Sequence, residues 1–210
     1  MHPRRIIDAA AAPIPVGRGG SALWKCLAVA VCLSCASRGL LAEGDSSELK
    51  SGLQVGEKVP TFYVRAITGP LKNKSVCYVC RNGNRPVVML LVREVTPELT
   101  RLLKEVDQMI DSHRAAGLRG FGVFLARENQ NLLPTVQTLA FNERLGLPLT
   151  ISAAPADGPA GQKVHPDAEV TVILYRELSV TANFAFRQGE LTNEKLSQVL
   201  EAVAALAEED

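Results

Sequence analysis

The sequence predicts an α/β domain with a central mixed β-sheet flanked by helices. Three observations carry this expectation. Runs rich in β-branched and aromatic residues alternate along the chain with segments whose apolar residues recur at three- and four-residue spacing. One run, Pro86-Val-Val-Met-Leu-Leu-Val92, is apolar on both faces, as a central parallel strand has to be. The 210 residues are 47% hydrophobic and 21% charged, which supplies a core and excludes a disordered chain.

The elements follow in order. Val55-Gly-Glu-Lys-Val-Pro60 leads in, and Pro60 sets an extended backbone for the strand Thr61–Ile67. Thr68-Gly-Pro70 and Asn82-Gly-Asn84 turn the chain on either side of a short segment before Pro86–Val92. Thr96-Pro-Glu is a helix start, with a capping hydroxyl, Pro at the first helical position and an acid in the first turn. Leu99, Leu102, Leu103, Val106, Met109 and Ile110 give that helix its apolar stripe as far as His113, with Gly117 as its stop. Gly120–Ala126 is a second buried strand, Leu132–Leu145 a second helix and Leu149–Ser152 a short strand. Ala153–Ala168 is a long loop rich in Ala, Pro and Gly. Val170–Tyr175 and Ser179–Phe186 form a hairpin around Arg176-Glu-Leu178, and Thr192 caps a last helix with Leu196, Val199, Leu200, Val203 and Leu206 on one face.

Residues 1–42 have a different character. Arg4, Arg5, Arg18 and Lys25 precede the apolar run Leu27–Ala36, and Arg38 and a polar stretch follow it. That is the layout of a secretory signal with a long basic n-region, too short between Lys25 and Arg38 for the roughly 20 apolar residues of a membrane span. Small residues at Ala36 and Ala42 offer cleavage points, with Ala42 preferred. Cys32-Leu-Ser34 ahead of Cys35 is a poor version of a lipidation motif. The expected organisation is a signal over 1–42, a flexible lead-in over 43–54 and one domain over 55–208, in a protein exported to the periplasm or secreted. Losing 1–42 removes five basic residues and one acid, which leaves 18 basic against 21 acidic side chains. With a formal charge of +1 for the whole chain, nucleic acid is not an expected partner.

The strand and helix order, with the opening Val55-Gly-Glu-Lys-Val-Pro-Thr-Phe62, resembles the thioredoxin-like fold, and within it the peroxiredoxin-type (alkyl hydroperoxide reductase/thiol-specific antioxidant) branch. The resemblance covers roughly Val55–Leu206. It implies a reactive Cys on the first helical turn after the first buried strand, yet the segment Arg93-Glu-Val-Thr-Pro-Glu-Leu-Thr100 holds none, which excludes the usual peroxidatic mechanism. It also implies a Pro just before the final strand pair. Glu169 or Val170 stands there, with Pro166 a few residues too early.

After loss of the signal, with Cys26, Cys32 and Cys35, only Cys77 and Cys80 remain, and export exposes them to an oxidising milieu. Cys77-Tyr-Val-Cys80 places two sulfurs within disulfide reach only where the chain turns. Lys74, Arg81 and Arg85 are close in sequence and would favour a thiolate. Three readings stay open: a staple on the segment leading into Val87–Val92, a redox-active dithiol displaced to the front of the strand, and half of a metal site. For a metal, only His113 and His165 remain as further imidazole ligands. His113 suits contact with helix carbonyls better, and His165 lies in the long loop. No metal or cofactor is expected, since covalent haem also fails for want of a His at position 81. Asp107, Asp111 and Glu105 read as a solvated helix face. The function expected is thiol-disulfide exchange through Cys77 and Cys80 with a protein dithiol or disulfide partner. The alternative is a non-catalytic thioredoxin-like binding module stapled by the same pair.

Overall fold

The structure is a computed structural model, and it describes residues 49–126, 130–154, 158–159 and 161–208. The expected signal over 1–42, its three cysteines and the first part of the lead-in lie outside the described residues.

Seven strands form one sheet: β1 (Val64–Ala66), β2 (Ser75–Val76), β3 (Val87–Val92), β4 (Arg119–Leu125), β5 (Leu149–Ser152), β6 (Val170–Arg176) and β7 (Ser179–Phe186). Their order is β2-β1-β5-β4-β3-β6-β7. Strands β3, β4 and β5 are mutually parallel, while β1, β2, β6 and β7 pair antiparallel, so the sheet is mixed as the sequence predicts. Parallel neighbours need crossovers, and these are the helices α2 (Pro97–Ser112) and α3 (Leu133–Glu143). A short helix α1 (Tyr78–Asn82) precedes β3, and α4 (Asn193–Glu208) follows β7.

The alternation of side chains along β3 divides the core in two. Val88, Leu90 and Val92 pack with Leu99, Leu139 and Val199 from α2, α3 and α4. Val87, Met89 and Leu91 point the other way, toward Phe62, Val64, Cys77, Tyr78 and Phe121. Every residue of β3 is buried, and each such aliphatic side chain contributes about 1.5–3 kcal/mol through removal from water. The helices are therefore distributed unevenly: three long ones cover one face, whereas α1 and irregular segments cover the other. Val164, between β5 and β6, is part of that second core.

Two expectations need correction. The lead-in is not flexible over its described part, because Leu49, Ser51, Gly52 and Leu53 are buried. Polar bonds hold it: Asn183 Nδ2 donates to the carbonyls of Ser51 (2.8 Å) and Leu53 (2.6 Å). The Ser51 hydroxyl lies 2.7 Å from that of Thr171. The folded unit thus begins by Leu49 rather than Val55. Asp107 also differs from expectation. Its carboxylate accepts from the backbone N–H groups of Gly146 (2.9 Å) and Leu147 (2.7 Å), so it ties α2 to the connection between α3 and β5 instead of facing only solvent.

Candidate redox site

In an extended strand, Cα atoms three residues apart lie about 10 Å from each other, too far for a disulfide. The chain avoids this by turning at Cys77. Cys77 keeps an extended backbone (φ −97°, ψ 98°), and α1 begins at the next residue. The Cα atoms of Cys77 and Cys80 come to 5.3 Å and their sulfurs are joined. Cys77 Sγ also acts as the helix N-cap, accepting from the Cys80 N–H at 3.1 Å. Gly83, at φ 57°, ends the helix and donates to Val79 O. A residue with a Cβ is disfavoured there, which explains why the turn expected at Asn82-Gly-Asn84 closes α1.

Burial fixes which way this turn faces. Tyr78 and Val79 are buried, and the Tyr78 ring stacks on Phe121 with centroids 5.1 Å apart. Burial pushes the Tyr78 phenol pKa up, and the nearby Arg81 cation works in the opposite direction. Tyr175, deeper in the same core, is buried too, and burial likewise pushes its phenol pKa up. With these anchors inward, the two cysteines differ. Cys77 is 5% exposed and belongs to the second core, whereas Cys80 is exposed. Lys74, Arg81 and Arg85 are exposed as well.

The place where the family resemblance puts its reactive Cys is occupied by other chemistry. Thr96 caps α2, accepting from the Leu99 N–H at 3.2 Å, and Pro97 follows it. Sequence reasoning missed Arg93, which is only 4% exposed at the end of β3. Its Nε donates to Ala168 O (3.0 Å), its Nη2 to His165 O (3.3 Å) and its backbone N–H to Glu169 O (2.9 Å). Glu169 is the residue immediately before β6, so the corner where the resemblance implies a Pro is held by a buried cation gripping carbonyls. A cavity of about 560 Å³ beside it is lined among others by Thr96, Glu98, Glu169, Arg187 and Thr192, and neither Cys77 nor Cys80 is part of its lining.

The two histidines among the described residues have local partners. His113 is the C-cap of α2, with Nδ1 3.0 Å from Met109 O. His165 Nδ1 accepts from the Asp167 N–H at 3.1 Å. Neither is brought to the cysteine pair by any of these contacts.

No protein-family model matches the sequence, and no curated protein matches it either. Solved structures do resemble the fold. A candidate protein disulfide isomerase from Bacteroides thetaiotaomicron is 16% identical, with 77% of this chain and 96% of that one covered and a TM-score of 0.56. Peroxidoxin BcpB from Mycobacterium tuberculosis is 13% identical over 73% of this chain and 97% of its own, with a TM-score of 0.53. A candidate thiol:disulfide interchange protein DsbE from Chlorobium tepidum is 16% identical over 72% and 99%, with a TM-score of 0.50. Identities this low speak for architecture and not for chemistry. The fold of this chain is thioredoxin-like, and its structural neighbours include both thiol-exchange and peroxiredoxin-type proteins.

Proposed function

We propose that the protein is an exported thiol-disulfide oxidoreductase in which Cys77 and Cys80 cycle between disulfide and dithiol. One observation supports this above the rest: the disulfide ties a buried sulfur to an exposed residue, so an incoming thiolate has somewhere to attack. A partner thiolate attacks one sulfur, a mixed disulfide forms and the other cysteine leaves as thiolate. The partner's second thiolate then attacks its own sulfur in the mixed disulfide and releases the protein as a dithiol. Two electrons pass from partner to protein, and the reverse sequence oxidises the protein. The partner is a protein carrying a dithiol or disulfide. Residues 1–42 act as the signal, with cleavage after Ala42, and export suits a pair that functions oxidised. Among the described residues, no helix is long and apolar enough to cross a membrane.

A second reading has its own support. Cys77 is buried in the same cluster as Tyr78 and Val79, which suits a staple holding α1 in a binding module that performs no exchange. The reduction potential of the pair separates the two. A value above about −250 mV supports exchange, and one below about −300 mV supports the staple. The activity test is reduction of insulin or glutathione disulfide by the wild-type protein against the Cys77→Ser/Cys80→Ser double variant. Equal rates refute the oxidoreductase reading.

A further inference from the structure

We infer that Cys80 is the sulfur through which partners exchange, that Cys77 is the leaving and resolving sulfur, and that the partner presents its sulfur on an acidic polypeptide segment. This rests on the oxidoreductase reading above and adds to it a direction of attack and a class of partner.

The direction follows from access and from the leaving group. Attack on a disulfide is in line with the S–S bond, so the attacked sulfur must be reachable. Cys80 is exposed and Cys77 is 5% exposed. Expulsion is easier for the sulfur whose negative charge is better stabilised, and Cys77 Sγ already accepts the Cys80 N–H at 3.1 Å. Both considerations select the same step: RS⁻ attacks Cys80 Sγ, the R–S–Sγ bond forms at Cys80, and the Cys77–Cys80 bond breaks with its electron pair going to Cys77.

The partner class follows from charge. From Lys58 to Arg93 the sequence contains seven basic residues and no Asp or Glu. Arg65, Lys72, Lys74, Arg81 and Arg85 are all exposed, and among the described residues none of them is in an ion pair. They belong to the β1–β2 hairpin and to α1 and its exit, the segment that presents the disulfide. Arg65 is the register partner of Ser75, two residues before Cys77, and Arg81 follows Cys80 directly. Arg119, at the start of β4, feels both Arg85 and Arg114, which add to burial in pushing its pKa down. The opposing charge is sparse: Glu177, whose N–H donates to Asn84 O, and Asp111, paired with Arg114. Beside these cations, Tyr63 is 70% exposed, one residue from Val64, which pairs with Val76. An exposed ring next to uncompensated cations suits the backbone and carboxylates of a polypeptide.

The test uses single-cysteine peptides identical except for Glu or Lys flanks, each activated as a mixed disulfide with thionitrobenzoate. Release of the coloured thiol is followed with the Cys77→Ser and Cys80→Ser proteins. Dividing by the rate with a small neutral thiol removes any intrinsic difference between the peptides. Cys77→Ser protein, which retains Cys80, is expected to react about tenfold or more faster than Cys80→Ser protein. It should prefer the Glu-flanked peptide by about tenfold at low ionic strength, a preference that collapses near 0.5 M salt on the order expected from screening. As a check that survives misfolding of either variant, the oxidised wild-type protein is mixed with Glu-flanked thiol peptide and acid-quenched. Tandem mass spectrometry should place the adduct on Cys80. An adduct on Cys77, or equal or inverted rates for the two variants, overturns the direction of attack. Equal rates for the two peptides, or competition by an oligonucleotide as strong as that by the Glu-flanked peptide without cysteine, overturns the partner class. Failure of the underlying function looks different: the wild-type protein then exchanges with no dithiol beyond the double Cys variant.

Discussion

Reduction of the Cys77–Cys80 bond is expected to lower the stability of the folded protein by about 2 kcal/mol. The bond closes a ring of only four residues, counting both cysteines. The chain-entropy relation for a loop of that size gives about 6 cal/mol/K, or about 2 kcal/mol at 25 °C, lost when the unfolded chain is freed. The Cys77 Sγ cap on α1 is present in the oxidised protein and stays available on reduction, so it leaves this difference unchanged. The same difference appears in the redox equilibrium, because folding and reduction are linked. At about 30 mV per 1.4 kcal/mol for two electrons, about 2 kcal/mol places the folded pair about 40 mV below its unfolded value. The assay is urea unfolding of oxidised and reduced protein, with the midpoint and slope fitted for each. A loss of 3 kcal/mol or more on reduction would refute the reasoning, since it would mean that the bond supports far more than its own four-residue turn.

Three further outcomes are expected. Gly120→Ala should destabilise the protein by about 1–3 kcal/mol in thermal unfolding, because an added Cβ would lie 2.5 Å from Ile110 Cδ1 and 3.0 Å from the backbone oxygen of Val88, and only the first can move. Glu177→Asn should raise stability by about 0.5–1 kcal/mol: Glu177 and Leu178 (φ 51° and 59°) form a two-residue hairpin turn with both residues left-handed, where Asn is far better tolerated. The Glu190 carboxylate is held below its ordinary value of 4.5, first by the Arg187 backbone N–H. Its contribution should therefore be complete above pH 4.5 and lost as the pH falls through the lowered folded value. Glu190→Gln should flatten that part of the Tm-against-pH curve, and an unchanged curve would contradict the assignment.

Much of the architecture is legible in the sequence where side-chain pattern and backbone demand coincide. The expected bounds Leu149–Ser152 and Ser179–Phe186 are those of β5 and β7, and Thr96-Pro97 marks the start of α2. The two-residue β2 and five-residue α1 leave no such trace, because neither is long enough to show a period. Ser51 and Gly52 read as linker because their partners, Thr171, Asn183 and Lys163, lie more than a hundred residues away. Arg93 carries no sequence signal for a similar reason: a buried guanidinium is acceptable only with carbonyls to grip, and those come from residues 165–168. At the candidate site, the cysteine pair is visible in the sequence and so are its basic neighbours. Which sulfur faces outward is not, because it depends on Tyr78 finding Phe121 across the core.

β2 runs in the same direction as β5, because each pairs antiparallel with β1, and Val76 faces Val64, the residue before the Arg65 that faces Ile151. Cys77 therefore leaves β2 toward the carboxyl end of the parallel strands, and β2 stands four strand positions from β3, about 19 Å across the sheet. Just after β3 the sixteen-residue α2 begins, and its amino end supplies partial positive charge that steadies an anion. The sulfurs have instead the five-residue α1, from which Cys77 Sγ takes one N–H, and the exposed side chains of Lys74 and Arg81. Moving the pair sideways, from the centre of the sheet to its edge, thus exchanges the field of a long helix for one hydrogen bond and surface cations, and salt screens the cations far more readily.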